Sequence, residues 1–117
     1  EQGNASAQFN LGLCFAEGRG TEKDHFKAAE WYKKSAFQGN PKALFNLGNY
    51  CQNGEGMEVN KAQAAEYFRK AVNLGHNKAM YNLGLMYERG DGVAQSWDIA
   101  FELFTRSATA GFPHGYS

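Results

Sequence analysis

Residues 9–12 read FNLG, residues 45–48 read FNLG again, and residues 81–84 read YNLG. Each copy sits in a stretch with helical character, yet each carries glycine where a helix prefers alanine. A glycine in the middle of a helix costs about 1 kcal/mol relative to alanine. Gly12, Gly48 and Gly84 are spaced by 36 residues. So are Gly18/Gly54/Gly90, Gly20/Gly56/Gly92 and Gly3/Gly39/Gly75/Gly111, which leaves Gly115 alone outside the pattern. Ala7/Ala43/Ala79, Asn10/Asn46/Asn82, Leu11/Leu47/Leu83, Ala28/Ala64/Ala100 and Glu30/Glu66/Glu102 keep the same step. A period of this length marks an array of supersecondary units, each unable to bury its apolar face alone.

Within a unit the apolar spacing predicts two helices. Ala7, Leu11, Cys14, Phe15 and Gly18 follow one helical face, as do Ala43, Leu47, Tyr50 and Cys51, and then Ala79, Leu83, Met86 and Tyr87. Gly18, Gly54 and Gly90 are placed to end the first helix in a left-handed cap. After a short loop, Asp24, Asn60 and Ser96 share the one property of a side-chain oxygen that caps a helix N-terminus. Asn4 is read first as a cap and only second as a glycosylation site in Asn4-Ala5-Ser6. The second helix carries the pairs Trp31/Tyr32, Tyr67/Phe68 and Leu103/Phe104. Glu30–Lys34, Glu66–Lys70 and Glu102–Arg106 stand at the i, i+4 spacing of exposed ion pairs. The helix-centre glycines are expected to let two backbones approach closely, Gly12 facing Ala28 or Ala36, so that packing offsets the lost propensity.

These residues resemble the Sel1-like repeat, a relative of the tetratricopeptide repeat. The first unit matches its pattern at Ala5, Ala7, Leu11, Gly12, Gly18, Gly20, Asp24, Lys27, Ala28, Glu30, Trp31, Tyr32, Lys34, Ala36 and Gly39. The third matches at Ala79, Leu83, Gly84, Tyr87, Gly90, Gly92, Val93, Ala100, Glu102 and Gly111. Phe15 and Cys51 replace a tyrosine of the pattern, Thr21 and Met57 a valine, and Ser96 an aspartate. The step of 36 residues and the double-glycine loop separate this family from the tetratricopeptide unit of about 34 residues. The resemblance implies an all-α fold, an α/α superhelix of three stacked helix-turn-helix units forming a right-handed solenoid. The expected organisation is a single array over 1–117, with repeats at about 4–39, 40–75 and 76–111. Residues 1–3 and 112–117 align with parts of flanking, truncated repeats, and Pro113 aligns with Pro41 at a first helical position.

Residues for catalysis are not assembled by spacing. His25, His76 and His114 share no repeat position and no metal-ligand spacing, and are read as surface or loop residues. Some cysteine-rich relatives have been linked to β-lactam binding, but Ser6, Ser35, Ser96 and Ser107 lack a lysine three residues on. The glycine loops follow helices and contain no phosphate-binding string. Neither a catalytic residue, a metal nor a cofactor is expected. Cys14 and Cys51 are read as small apolar residues; the paired cysteines of secreted relatives are missing, a lean toward an intracellular setting. The formal net charge of zero offers no footprint for nucleic acid, and no apolar run is long enough for membrane insertion.

The expected function is therefore a non-enzymatic interaction scaffold or adaptor that takes a protein or peptide on a concave surface formed by the first helices. Its candidate contacts are Phe9, Asn10 and Leu13, then Lys42, Phe45, Asn46, Asn49 and Asn53, then Lys78, Tyr81, Asn82, Leu85 and Arg89. Aromatics interleaved with amides suit an extended peptide, because an amide both donates to and accepts from a backbone. Asn10, Asn46 and Asn82 supply one amide per unit, either to a partner or to a neighbouring helix. The alternative is self-assembly into a homo-oligomer, as in relatives that act as adaptors in membrane complexes.

Overall fold

The computed structural model describes residues 3–110, so the expected flanking segment at 112–117, with Pro113 and His114, all but residue 3 of the segment at 1–3, and Gly111 of the third repeat lie outside the described residues. The described chain is six α-helices: α1 (Ala5–Glu17), α2 (His25–Phe37), α3 (Pro41–Asn53), α4 (Lys61–Asn73), α5 (Asn77–Arg89) and α6 (Trp97–Ala110). Each first helix packs on the second helix of its own unit, and α2 and α4 pack in turn on α3 and α5. The result is the all-α solenoid of three helical hairpins. No described helix is long and apolar enough to cross a membrane.

The helix ends follow from short-range chemistry. Asn4, Asp24 and Asn60 accept from the amides of Ala7, Lys27 and Gln63 at 2.8, 3.1 and 3.0 Å, and Ser96 Oγ accepts from Ile99 at 3.2 Å. Gly18, Gly54 and Gly90 end the first helices at φ of 70°, 77° and 70°. A bond repeated in every unit then pins the second helix to the first. The amides of Asp24, Asn60 and Ser96 donate to the carbonyls of Phe15, Cys51 and Tyr87 at 2.7, 2.9 and 3.0 Å.

The helix-centre glycines face something other than small residues. A Cβ on Gly12 would lie 2.6 Å from Tyr32 Cε1, one on Gly48 2.5 Å from Phe68 Cε1, and one on Gly84 2.7 Å from Phe104 Cε1. At Gly12 the expected close backbone approach to Ala28 is present beside the ring, with the Ala28 carbonyl oxygen 3.3 Å from the same position. The glycine is thus a seat for the flat ring of the second helix. Tyr32 and Phe68 are almost wholly buried there.

Neighbouring units meet through a second pair of glycines. Gly56 (φ 68°) lies against the carbonyl of His25, and Gly92 (φ 78°) against that of Lys61, where a Cβ would overlap backbone. Polar contacts at the same register reinforce the joint: His25 Nε2 lies 3.9 Å from the Glu55 carboxylate, and Lys61 Nζ forms an ion pair with Asp91 at 3.3 Å. Stacking also explains where the expected apolar face fails. Ala43, Leu47, Ala79 and Leu83 are buried, but Ala7 is exposed and Leu11 is 38% exposed, because no second helix precedes α1 among the described residues. The exposed charges also pair differently from expectation. Glu66 binds Arg69, one turn away at i, i+3, and Lys34 lies 4.2 Å from the centre of the Trp31 ring.

His76, read from sequence as a surface or loop residue, is the N-cap of α5. Its Nδ1 accepts from the Ala79 amide at 3.2 Å, and its ring stacks on Phe45 at 4.7 Å. Burial, then Lys78, then Lys42, holds its pKa below the ordinary 6.5. A protonated Nδ1 cannot accept a bond. The cap therefore contributes fully above about pH 6.5 and is lost as pH falls through the lower folded value.

Two outcomes are expected. Gly48→Ala, which would stabilise an exposed helix, instead destabilises this one by about 1–3 kcal/mol by displacing a packed ring. A rise in melting temperature would show that the ring has room. In denaturant titrations His76→Asn, which copies the cap at Asn4 and that at Asn40, whose side chain accepts from the Lys42 and Ala43 amides, keeps the capping contribution, about 1 kcal/mol, that the parent chain loses as pH falls below 6.5. Parallel pH profiles would contradict the capping role.

Candidate functional site

Most of the sequence-predicted residues of the first helices line three openings, two of them between the first and second units. An opening of about 490 Å³ brings together Phe9, Asn10 and Lys42 with Gln38 and Asn40. A second, of about 380 Å³, is lined by Leu13, Asn46, Asn49 and Asn53 with Tyr32 and Tyr50. A third, of about 430 Å³, joins Tyr81 and Leu85 to Glu88 and Phe104. Phe45, Lys78, Asn82 and Arg89 line none of these three.

The aromatic members have a structural duty as well. Phe9, Phe45 and Tyr81 pack on Tyr32, Phe68 and Phe104 with ring centres 5.6, 5.8 and 5.7 Å apart. Each thus backs the ring seated on a helix-centre glycine. Phe9 and Phe45 are half-buried by this contact, whereas Tyr81 remains 52% exposed. The three equivalent asparagines are engaged differently. Asn10 is exposed; Asn46 stands beside the Tyr32 hydroxyl; Asn82 Nδ2 donates to Asn49 Oδ1 of the preceding unit at 3.2 Å. Lys42 and Lys78 are exposed and both bear on His76.

The middle opening contains a cluster that the sequence reading passed over. His25 Nδ1 and the Tyr50 hydroxyl are 2.8 Å apart across the joint of the first two units. The rings of His25 and Tyr50, and of Tyr32 and Tyr50, meet edge to face at 5.5 Å. Burial, with Tyr32 next to it, pushes the Tyr50 phenol well above its ordinary range, and burial likewise raises Tyr32. Both therefore stay neutral and act as hydrogen-bonding groups. Glu17 and Glu55 edge the same opening. The signal available in the sequence was Tyr50 itself, a hydroxyl at the register where the other units place Cys14 and Met86.

No group of three or more metal-ligating side chains occurs among the described residues. Cys14 is half-buried and Cys51 buried, and both are free thiols.

Comparison with known proteins bears directly on this architecture. The family model described as Sel1 repeat matches residues 5–40, 41–76 and 77–112. No curated protein matches the chain. Among solved structures, a protective antigen of uropathogenic Escherichia coli strains displaying an SLR fold superposes with a TM-score of 0.90 at 36% identity, covering 92% of this chain and 23% of that one. A Sel1 repeat protein from Oxalobacter formigenes gives 0.88 at 35% identity, covering 91% and 44%. Cysteine rich protein B of Helicobacter pylori gives 0.77 at 20% identity, covering 92% and 83%, a likeness of fold. The chain thus spans less than half the length of the first two. Sel1 repeats generally serve as non-catalytic protein-interaction modules. With three consecutive matched units and six helices paired as those units require, the chain belongs to the Sel1-repeat family.

Proposed function

We propose that this chain is a non-enzymatic interaction module that takes an extended peptide segment of another protein along the exposed face of α1, α3 and α5. The observation that carries this reading is the set of three openings distributed over all three first helices, each combining apolar walls with free polar groups. Aromatic and aliphatic surfaces supply pockets for alternate side chains, and the amides of Asn10, Asn46 and Asn53 supply donors and acceptors for the backbone between them. Rigidity helps, since the ring-on-glycine seats hold these walls before any partner arrives and lower the ordering cost of binding.

A second reading, pairing between copies of the chain, is favoured by apolar side chains exposed on α6 and α1 among the described residues. On α6, Phe101 is 73% exposed, although Ala29 and Ala65 at the same register are buried in the next unit. Trp97 and Ile99 on α6 are exposed as well, as are Ala7 and Leu11 on α1. Such faces suit a head-to-tail contact, which does not close on itself.

Peptides selected from a displayed random library test the first reading. Asn10→Ala with Asn53→Ala, both exposed, is expected to weaken the selected binders about tenfold with the melting temperature unchanged. Failure to recover any binder, or binders indifferent to both changes, would overturn it. Light scattering across a concentration series tests the second: the mass should rise with concentration and the rise should vanish in Phe101→Asp. A monomer at all concentrations removes the reading.

A further inference from the structure

The first-helix face leaves one large opening unused. Between α2 and α4, on the side of the second helices, lies a groove of about 510 Å³. Leu44, Leu47 and Ala36 lie along it, and Lys33 on α2 and Lys70 on α4 stand on its two walls. Phe37, 85% exposed, and Leu74 extend the apolar surface at its margin.

Comparison with the following unit explains why the groove is open and charged. Ala36 stands where the next unit has Val72, which is buried, so the groove lacks the bulk of two methyl groups. Cys51 stands where the next unit has Tyr87. There the Tyr87 hydroxyl accepts from Arg69 at 2.7 Å, and Glu66 holds the same guanidinium. Lys33 is the counterpart of Arg69, but the Cys51 thiol is fully buried and offers it no hydroxyl. Among the described residues neither Lys33 nor Lys70 makes an ion pair. Two ammonium groups thus flank an apolar floor without a counter-charge. Tyr67, half-buried at the same groove where the next unit has Leu103, adds a phenol without a hydrogen-bond partner among the described residues.

We propose that this groove binds a small anionic amphiphile, an apolar chain ending in a carboxylate. The volume lies within the range of about 300–1,000 Å³ usual for small-ligand sites, and a mostly apolar lining with a few convergent polar groups is their usual composition. The chain lies over Ala36, Phe37 and Leu74, whose side chains are accessible at the groove, and the carboxylate reaches the lysines and the Tyr67 hydroxyl, where a charge-assisted bond is strongest. The site uses none of the side chains assigned to peptide binding, so each stands or falls alone.

Dodecanoate below its micellar concentration is the probe, followed by calorimetry and amide chemical shifts. One saturable site is expected, with shifts gathered at Lys33, Ala36, Tyr67 and Lys70. Dodecyltrimethylammonium, with the same chain and the opposite charge, should bind at least about tenfold more weakly. Ala36→Val, which copies the next unit and so should fold, is expected to reduce dodecanoate affinity about tenfold by filling the groove. Lys33→Gln with Lys70→Gln should weaken dodecanoate but leave dodecanol unaffected. Absence of saturable binding, equal binding of the cationic amphiphile, shifts confined to the first-helix face, or indifference to Ala36→Val would each overturn the proposal.

Discussion

The flat ring of each second helix rests on a glycine at the centre of the first, and the distance between the two helices of a unit is set by that contact. Any side chain on Gly12, Gly48 or Gly84 would meet Tyr32, Phe68 or Phe104 well inside van der Waals range. The loss in helix propensity, about 1 kcal/mol per glycine, is offset by burying an aromatic ring, worth about 1.5–3 kcal/mol. Because Phe9, Phe45 and Tyr81 pack on those same rings, the contact also holds the aromatic walls of the first-helix face.

The joint between units follows a similar logic with different atoms. A loop glycine at positive φ lets backbone touch the start of the preceding second helix, at Gly56 over His25 and Gly92 over Lys61. A basic side chain on the helix then meets an acidic one on the loop, His25 with Glu55 and Lys61 with Asp91. These exposed pairs are worth little individually. Their value is in register, since an acid at that loop position meets a base only when the loop sits on the right turn.

With the frame repeated, differences in surface chemistry come from the few positions where the units disagree. At one register Cys14, Tyr50 and Met86 alternate; only the middle unit gains a hydroxyl, and it binds His25 across the joint. One residue on, Phe15, Cys51 and Tyr87 alternate; the tyrosine captures Arg69, while the cysteine leaves Lys33 unpaired. At a third, Ala36 opens what Val72 fills. Conserving the frame and varying such positions gives each unit its own surface at small cost to stability.

Much of this was legible beforehand, and for a definable reason. The period, the hairpin, the left-handed caps and the capping oxygens at Asn4, Asp24, Asn60 and Ser96 depend on residues close along the chain or repeated at fixed intervals, and a linear text carries both. What the glycines face was not legible, because the partner ring lies twenty residues away and an alanine one turn earlier was an equally small candidate. Nor was the capping role of His76, since histidine is rarely chosen for it and Phe45, which braces the ring, belongs to another unit. The exposure of Ala7 and Leu11, the His25–Tyr50 contact and the freedom of Lys33 all depend on which helix lies next door. Local and periodic constraints thus reside in the order of residues, whereas charge, burial and openings arise when side chains from separate units come within contact distance.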